Sequence, residues 1–180
     1  MQDKEKTEIG VGASVGFAPV SRHDARILIL GSLPGQRSLQ AVQYYAHPQN
    51  AFWRIMREFI GAEGSYDERC GALVEHGIAL WDVLAESVRP GSMDAAIQTA
   101  SARANDFAGF FSQHAGIRQV FFNGKKAAQL YARLVLIDGR DFDMRYATLP
   151  STSPAYASMA YEEKLRIWRE EITAASGLSA

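Results

Sequence analysis

With one cysteine, Cys70, among 180 residues, the chain can form no internal disulfide and no thiolate cluster. A four-cysteine zinc or iron–sulfur site is therefore ruled out, and a reducing cytoplasm is the compartment that fits. Cys70 itself falls in a helical pattern and reads as a core or boundary residue. The histidines His23, His47, His76 and His114 do not stand at metal-ligand spacing, so no metal or cofactor is expected. No apolar run approaches the ~20 residues of a membrane span. Residues 1–17 are polar and then rich in glycine, valine and alanine, without the apolar core of a signal peptide. They are expected to belong to a flexible leader covering residues 1–19. After residue 20 there is no repeat, low-complexity tract or linker, and residues 20–180 are expected to form a single domain.

Net charge is also nearly absent, at −1, which at first argues against a nucleic-acid protein. Its distribution is uneven. Residues 117–133 carry Arg118, Lys125, Lys126 and Arg133 and no acid, and residues 21–60 carry more arginine than acid. The acids concentrate in residues 61–94. Basic segments sharing a face could meet a polyanion despite the neutral total; solvated helix faces account for the same pattern equally well.

The apolar share is 47%, enough for one domain with a full core. Four β-favouring runs, at 26–30, 78–83, 118–122 and 145–149, alternate with helical patterns at 51–60, 66–76, 104–114, 125–134 and 161–175. This alternation predicts an α/β fold, a three-layer α/β/α arrangement around a mainly parallel four-stranded sheet. Ligands of such sheets bind outside the carboxyl ends of the strands. Three unusual segments lie there: 31–53 after the first run, Asn123-Gly-Lys-Lys after the third, and Pro150-Ser-Thr-Ser-Pro after the fourth.

Each segment is ambiguous alone. Gly31-Ser-Leu-Pro-Gly lacks the Gly-Lys-Ser/Thr ending of a P-loop, is not a nucleophile elbow, and has no third glycine for a dinucleotide. His47 is held extended by Pro48 and reads as a histidine bonded within its own loop. Asn50 stands where an asparagine usually caps a helix. Phe52 and Trp53 read as core, whereas Tyr44 and Tyr45 sit in loop, where burial is harder to explain. Asn123 ends an apolar strand with a donor and an acceptor side by side, the pattern needed to read a base edge, although a strand-end turn residue would look the same. The hydroxyls and amides of 150–154 could hold a phosphate or form a plain turn.

Taken together, the segments Gly-Ser-Leu-Pro-Gly at 31–35, Tyr-Tyr-Ala-His-Pro-Gln-Asn-Ala-Phe-Trp at 44–53, Phe-Phe-Asn-Gly at 121–124 and Leu-Pro-Ser-Thr-Ser-Pro-Ala at 149–155 resemble the uracil-DNA glycosylase superfamily. Within it they most resemble the hypoxanthine (deoxyinosine) DNA glycosylase branch, with the mismatch-specific uracil glycosylases second. The resemblance implies a monofunctional DNA glycosylase of base excision repair that hydrolyses the N-glycosidic bond of a flipped deaminated base, hypoxanthine first and uracil second. Its partner would be DNA and its state a monomer. A mismatch-specific uracil glycosylase, a non-catalytic nucleic-acid binding relative, and an α/β enzyme of free nucleotides are the alternatives.

The resemblance also implies roles. Asn50 would hold the attacking water, Tyr45 would stack on the base, Asn123 would read its edge, and Gly31 and Ser32 would complete the base site. Ser151, Thr152, Ser153, Pro154, Ala155 and Tyr156 would form the loop that pinches the DNA backbone and probes the duplex. Lys125 and Lys126 are candidate phosphate contacts. Two departures bear on mechanism. Ser32 stands where relatives carry an aspartate or asparagine, so no strong general base is visible in the first motif. Ala155 stands where the large glycosylases carry a leucine wedge, which leaves that work to Tyr156 or to lesions that already pair weakly.

Overall fold

Three short runs of mainly aliphatic and aromatic residues are buried along their whole length, which puts them at the centre of the molecule, and a fourth, partly exposed run forms a sheet edge. The computed structural model describes residues 13–137 and 142–176. In it β2 (Ile27–Gly31), β3 (Ile78–Asp82), β6 (Gln119–Asn123) and β7 (Arg145–Leu149) form one sheet in the order β3-β2-β6-β7, every neighbouring pair parallel. Leu28, Ile29 and Leu30 have no exposed surface. Such near-continuous apolar strands are what a parallel sheet covered on both faces requires. The cover comes from α2 (Phe52–Ile60), α3 (Tyr66–Glu75), α4 (Phe107–Gln113), α5 (Lys125–Leu134) and α6 (Tyr161–Ser176). The expected three-layer α/β/α architecture is thus present.

The helix boundaries have local causes. Ser65 and Glu68 form a reciprocal capping box at the start of α3, which satisfies two otherwise orphaned amides. Asp106 accepts from the Gly109 amide at 3.0 Å, so α4 starts at Phe107 rather than at the expected 104. Gly61, at φ 70°, ends α2 in the left-handed conformation that glycine adopts without penalty. On α6, Trp168 is fully buried and its indole donates to the Pro150 carbonyl at 2.9 Å.

A second, antiparallel sheet was not expected. It joins β1 (Ala13–Val15), β4 (Leu84–Val88) and β5 (Arg103–Ala104) in the order β1-β4-β5. The chain runs almost directly from β3 into β4, with the Val83 and Leu84 amides donating to the carbonyls of Gly31 and Ser32. The leader placed at residues 1–19 therefore needs correction. Residues 1–12 lie outside the described residues, but from Ala13 onward the chain is tied down. Ser14 pairs with Ser87, Val20 bridges to Leu80, and the Phe17 carbonyl accepts from Trp81. A short helix, α1 (Gln36–Ala41), was likewise not expected within the segment 31–53.

Candidate active site

The parallel register brings three strand ends to one rim. Gly31 at the end of β2 stands opposite Asp82 at the end of β3, and Asn123 closes β6 on the other side. Above this rim a pocket of about 590 Å³ opens between the segments 31–50, 89–95 and 151–156. Of the residues singled out from sequence, Gly31, Ser32, Tyr45, Asn50, Asn123 and Ser151–Tyr156 all line it. Lys125 and Lys126 do not; they open α5 beyond Gly124, outside the pocket.

Tyr44 and Tyr45 have opposite fates. Tyr44 is core, 3% exposed, its hydroxyl donating to the Ala18 carbonyl at 3.1 Å and its own carbonyl accepting from the Trp53 indole at 2.7 Å. Tyr45 sits at φ 54°, a left-handed conformation costing a side-chain-bearing residue on the order of 1–3 kcal/mol. The strain turns its ring over the rim. Phe52 stacks behind it, centroids 4.3 Å apart and planes 27° off parallel, and the hydroxyl end is buried at the pocket floor. Burial first, then the Asp82 carboxylate, holds that phenol far above its ordinary range, with the Asn123 amide pulling weakly the other way. Phe52 and Trp53 are core, as expected.

Asn50 is half-buried, and its Oδ1 accepts from the Phe52 amide at 3.0 Å at the start of α2. The same turn is closed by the Asn50 amide donating to the His47 carbonyl, while His47 Nδ1 accepts from Gln49 at 3.2 Å. His47 thus bonds within its own loop. Asn123 is more heavily committed. Its Oδ1 accepts from the Thr152 amide at 2.9 Å and its Nδ2 donates to Thr152 Oγ1 at 2.8 Å. This two-point lock ties the last-motif loop to the sheet, and the Thr152 carbonyl accepts from Ala51 at 3.0 Å, tying the loop to α2 as well. Farther along, Lys164, buried on α6, donates to the Tyr156 carbonyl at 2.6 Å with its ammonium 5.0 Å from that ring. Ala155 and Tyr156 are exposed at the rim.

Three functional candidates escaped the sequence reading, and together they supply the acid missing from the first motif. Asp94 Oδ1 accepts from Ser32 Oγ at 2.6 Å, so a carboxylate does reach the first-motif position, delivered from 62 residues downstream. Arg89, buried at the end of the β4 segment, stands 3.7 Å from Asp94 and donates to the carbonyls of Leu33 and Pro34. Burial lowers the pKa of that guanidinium, against the opposing pull of Asp94 and Asp82. Asp82 is 3% exposed, and its Oδ2 has no hydrogen-bond partner. Burial, reinforced by the Asp94 charge and only partly offset by Arg89, pushes this carboxyl up to about 7. An acid closing an otherwise apolar strand was a visible signal for Asp82; nothing local marked Asp94 or Arg89.

The chemistry available is that of a floor with a flat aromatic wall, two amides and an acid poised near neutrality. Among the described residues no group of His, Cys, Asp and Glu is arranged to hold a metal ion, and no helix is long and apolar enough to cross a membrane.

Comparison with known proteins gives a consistent picture. The model of the uracil DNA glycosylase superfamily matches residues 18–174. A protein named hypoxanthine DNA glycosylase from Methanosarcina barkeri is 39% identical over 117 residues, covering 63% of this chain and 73% of its own. Its namesake from Methanosarcina acetivorans is 36% identical over 143 residues, covering 78% and 86%. The solution NMR structure of a Methanosarcina acetivorans protein assigned to the uracil DNA glycosylases superposes with a TM-score of 0.71 at 33% identity, covering 88% of this chain and 98% of that one.

Proposed function

Because the chain belongs to the uracil DNA glycosylase superfamily, we propose that its pocket receives a deaminated base flipped out of DNA and hydrolyses the N-glycosidic bond, with hypoxanthine the preferred base and uracil a secondary one. The observation that carries this reading is the placement of Tyr45. Its ring is backed by Phe52 and lines the pocket together with Asn50. A base laid on such a face gains roughly 1–3 kcal/mol from stacking. That is of the same order as the few kcal/mol that extrusion costs, which is lowest for a mismatched or damaged base.

In the reaction the C1′–N bond breaks with its electron pair passing to the base, which leaves cationic character on the sugar. Water adds at C1′, and the proton it releases reaches the departing base through solvent, so that sugar and base both end neutral. An enzyme accelerates this by interactions that strengthen as those charges develop. Asn50 Oδ1 orients the water. Asp94, held on Ser32, is the carboxylate available to balance the sugar's charge, which favours a working enzyme over a non-catalytic relative. The loop 151–156 grips the DNA backbone, Tyr156 fills the gap left by the base, and Lys125 and Lys126 meet phosphates beyond the pocket. Their two positive charges at the first turn of α5 oppose the helix dipole, and a phosphate would relieve that conflict. The protein acts as a monomer in the cytoplasm.

The test is a panel of duplexes carrying hypoxanthine, uracil or xanthine, incubated with the protein and then resolved with and without alkali. Strand breaks should appear after alkali only, with hypoxanthine giving the most. Breaks without alkali would refute the monofunctional reading, and intact strands throughout would refute the glycosylase.

A further inference from the structure

The pocket floor contains an acid that the mechanism above does not use. Asp82 lies under the site, its carboxyl pressed into the space that Gly31 leaves by having no side chain. A Cβ on Gly31 would stand 2.4 Å from Asp82 Oδ1 and 2.9 Å from the Tyr45 hydroxyl. The absence of a side chain at Gly31 therefore lets these two groups come together at the end of β2, where both line the pocket. Both are buried, and neither the Tyr45 hydroxyl nor Asp82 Oδ2 has a partner in hydrogen-bonding geometry. Two orphaned polar atoms side by side each cost about 1–3 kcal/mol when buried unpaired, and natural sites seldom keep such groups without a use.

A base stacked on Tyr45 would point one edge along the ring toward the hydroxyl end, and so toward Asp82. Asn123 is poorly placed to serve that edge unaided, since its oxygen and one of its amide hydrogens already belong to Thr152. On the reading of function given above, we propose that Asp82 is a catalytic residue that works as a neutral acid, its O–H donating a hydrogen bond to the carbonyl oxygen of the departing base.

The chemistry favours the protonated form. As the C1′–N bond breaks, negative charge spreads onto the base carbonyl, and a neutral donor in a dry site stabilises that charge more than it stabilises the intact nucleotide. An ionised carboxylate would repel the same oxygen. Apolar surroundings can keep a carboxylic acid protonated at neutral pH, so that it donates to a developing oxyanion. The groups facing Asp82 from each packed element agree. Asp94 opposes its ionisation, the phenols Tyr44 and Tyr45 stay uncharged and give it no compensating positive charge, and Arg89, the cation that acts on it among the described residues, is held at Asp94 and the 33–34 carbonyls. Burial dominates, and the balance leaves a carboxyl that titrates at about 7 in the empty site.

The experiment is single-turnover excision from a hypoxanthine duplex across about two pH units on either side of neutrality, for the wild type, Asp82→Asn and Asp82→Leu, with duplex binding measured in parallel. The wild-type rate should fall about tenfold per pH unit on the alkaline side. Asp82→Asn keeps an N–H donor that cannot titrate, so its rate should be about tenfold below the wild-type plateau but without the alkaline fall. Asp82→Leu should run on the order of 100-fold below the wild-type plateau, without the alkaline fall, while binding DNA. A wild-type rate that is flat or rises through neutrality, an unchanged alkaline fall in Asp82→Asn, or a near-normal rate in Asp82→Leu would each overturn the proposal. If Asp82→Leu fails to fold, the Asp82→Asn profile decides alone. A wild type that excises no lesion would instead bring down the reading of function on which this inference rests.

Discussion

Asn50 faces two demands on one side-chain oxygen. It accepts from the Phe52 amide, which holds the start of α2, and it is also the group assigned to the attacking water. An amide oxygen has two lone pairs, so the helix bond fixes its position and leaves the second pair for water. The bond to the first turn of α2 and the proposed hold on water are then compatible. Asp82 yields a prediction that does not depend on DNA at all. Its carboxyl is pushed from the ordinary 3.8 up to about 7 in the folded protein. The folded state therefore binds more protons than the unfolded state between those values, and stability falls as pH rises through that window and levels off above it. Asp82→Asn removes the titration. It should be more stable than the wild type above pH 7 by up to a few kcal/mol, with the difference disappearing near pH 4. Thermal midpoints of the two proteins against pH would show it, and parallel curves would contradict the assigned burial. At this scale the sequence was readable where motifs marked the residue, as for Tyr45, Asn50 and Asn123. It was silent where a partner comes from far along the chain, as Asp94 comes to Ser32.

At the scale of elements, the site depends on one side-chain lock between two of them. Asn123 at the end of β6 and Thr152 in the loop after β7 exchange two hydrogen bonds. Beside them Gly124, at φ 96°, lets the chain pass against Ser151, whose Cβ would stand 3.0 Å from a Cβ placed there. Thr152→Val keeps the shape and the backbone bond but removes the hydroxyl that Asn123 Nδ2 reaches. The expected cost is about 1–2 kcal/mol of stability, with excision reduced more than duplex binding because the freed amide no longer holds the loop over the base. Denaturant midpoints alongside single-turnover rates would measure both; a variant unchanged in stability would show that the lock carries no weight. The four parallel strands and five long helices were legible because apolar runs and helical periodicity are local signals. The second sheet was not. Ala13–Val15 and Arg103–Ala104 are too short to show alternation, and Leu84–Val88 follows β3 with no turn residue between them. Yet β4 leads the chain to Arg89 and on toward Asp94, so the unread element is the one that brings in the unread acid.

Over the whole molecule, the uneven charge seen in the sequence is partly cancelled in space. Arg22 pairs with Asp24, Arg54 with Glu58 and Arg57 with Glu63, exposed contacts worth little in stability but enough to mute the excess of residues 21–60. The lysines at the start of α5 have no such partner among the ion pairs of the described residues. Under the proposed function, they leave unpaired positive charge at the rim beside the last-motif loop for phosphates to meet. In the proposed function that rim, the pocket and the sheet ends serve one reaction, with Asn50 in the pocket lining directing water onto the sugar of a flipped base. The direct measurement is release of free hypoxanthine from a defined duplex under single-turnover conditions, comparing the wild type with Asn50→Ala and recording duplex binding for both. The wild type should release the base, and Asn50→Ala should be slower by on the order of 100-fold or more while binding DNA as before. An Asn50→Ala protein that releases the base at the wild-type rate would contradict the account.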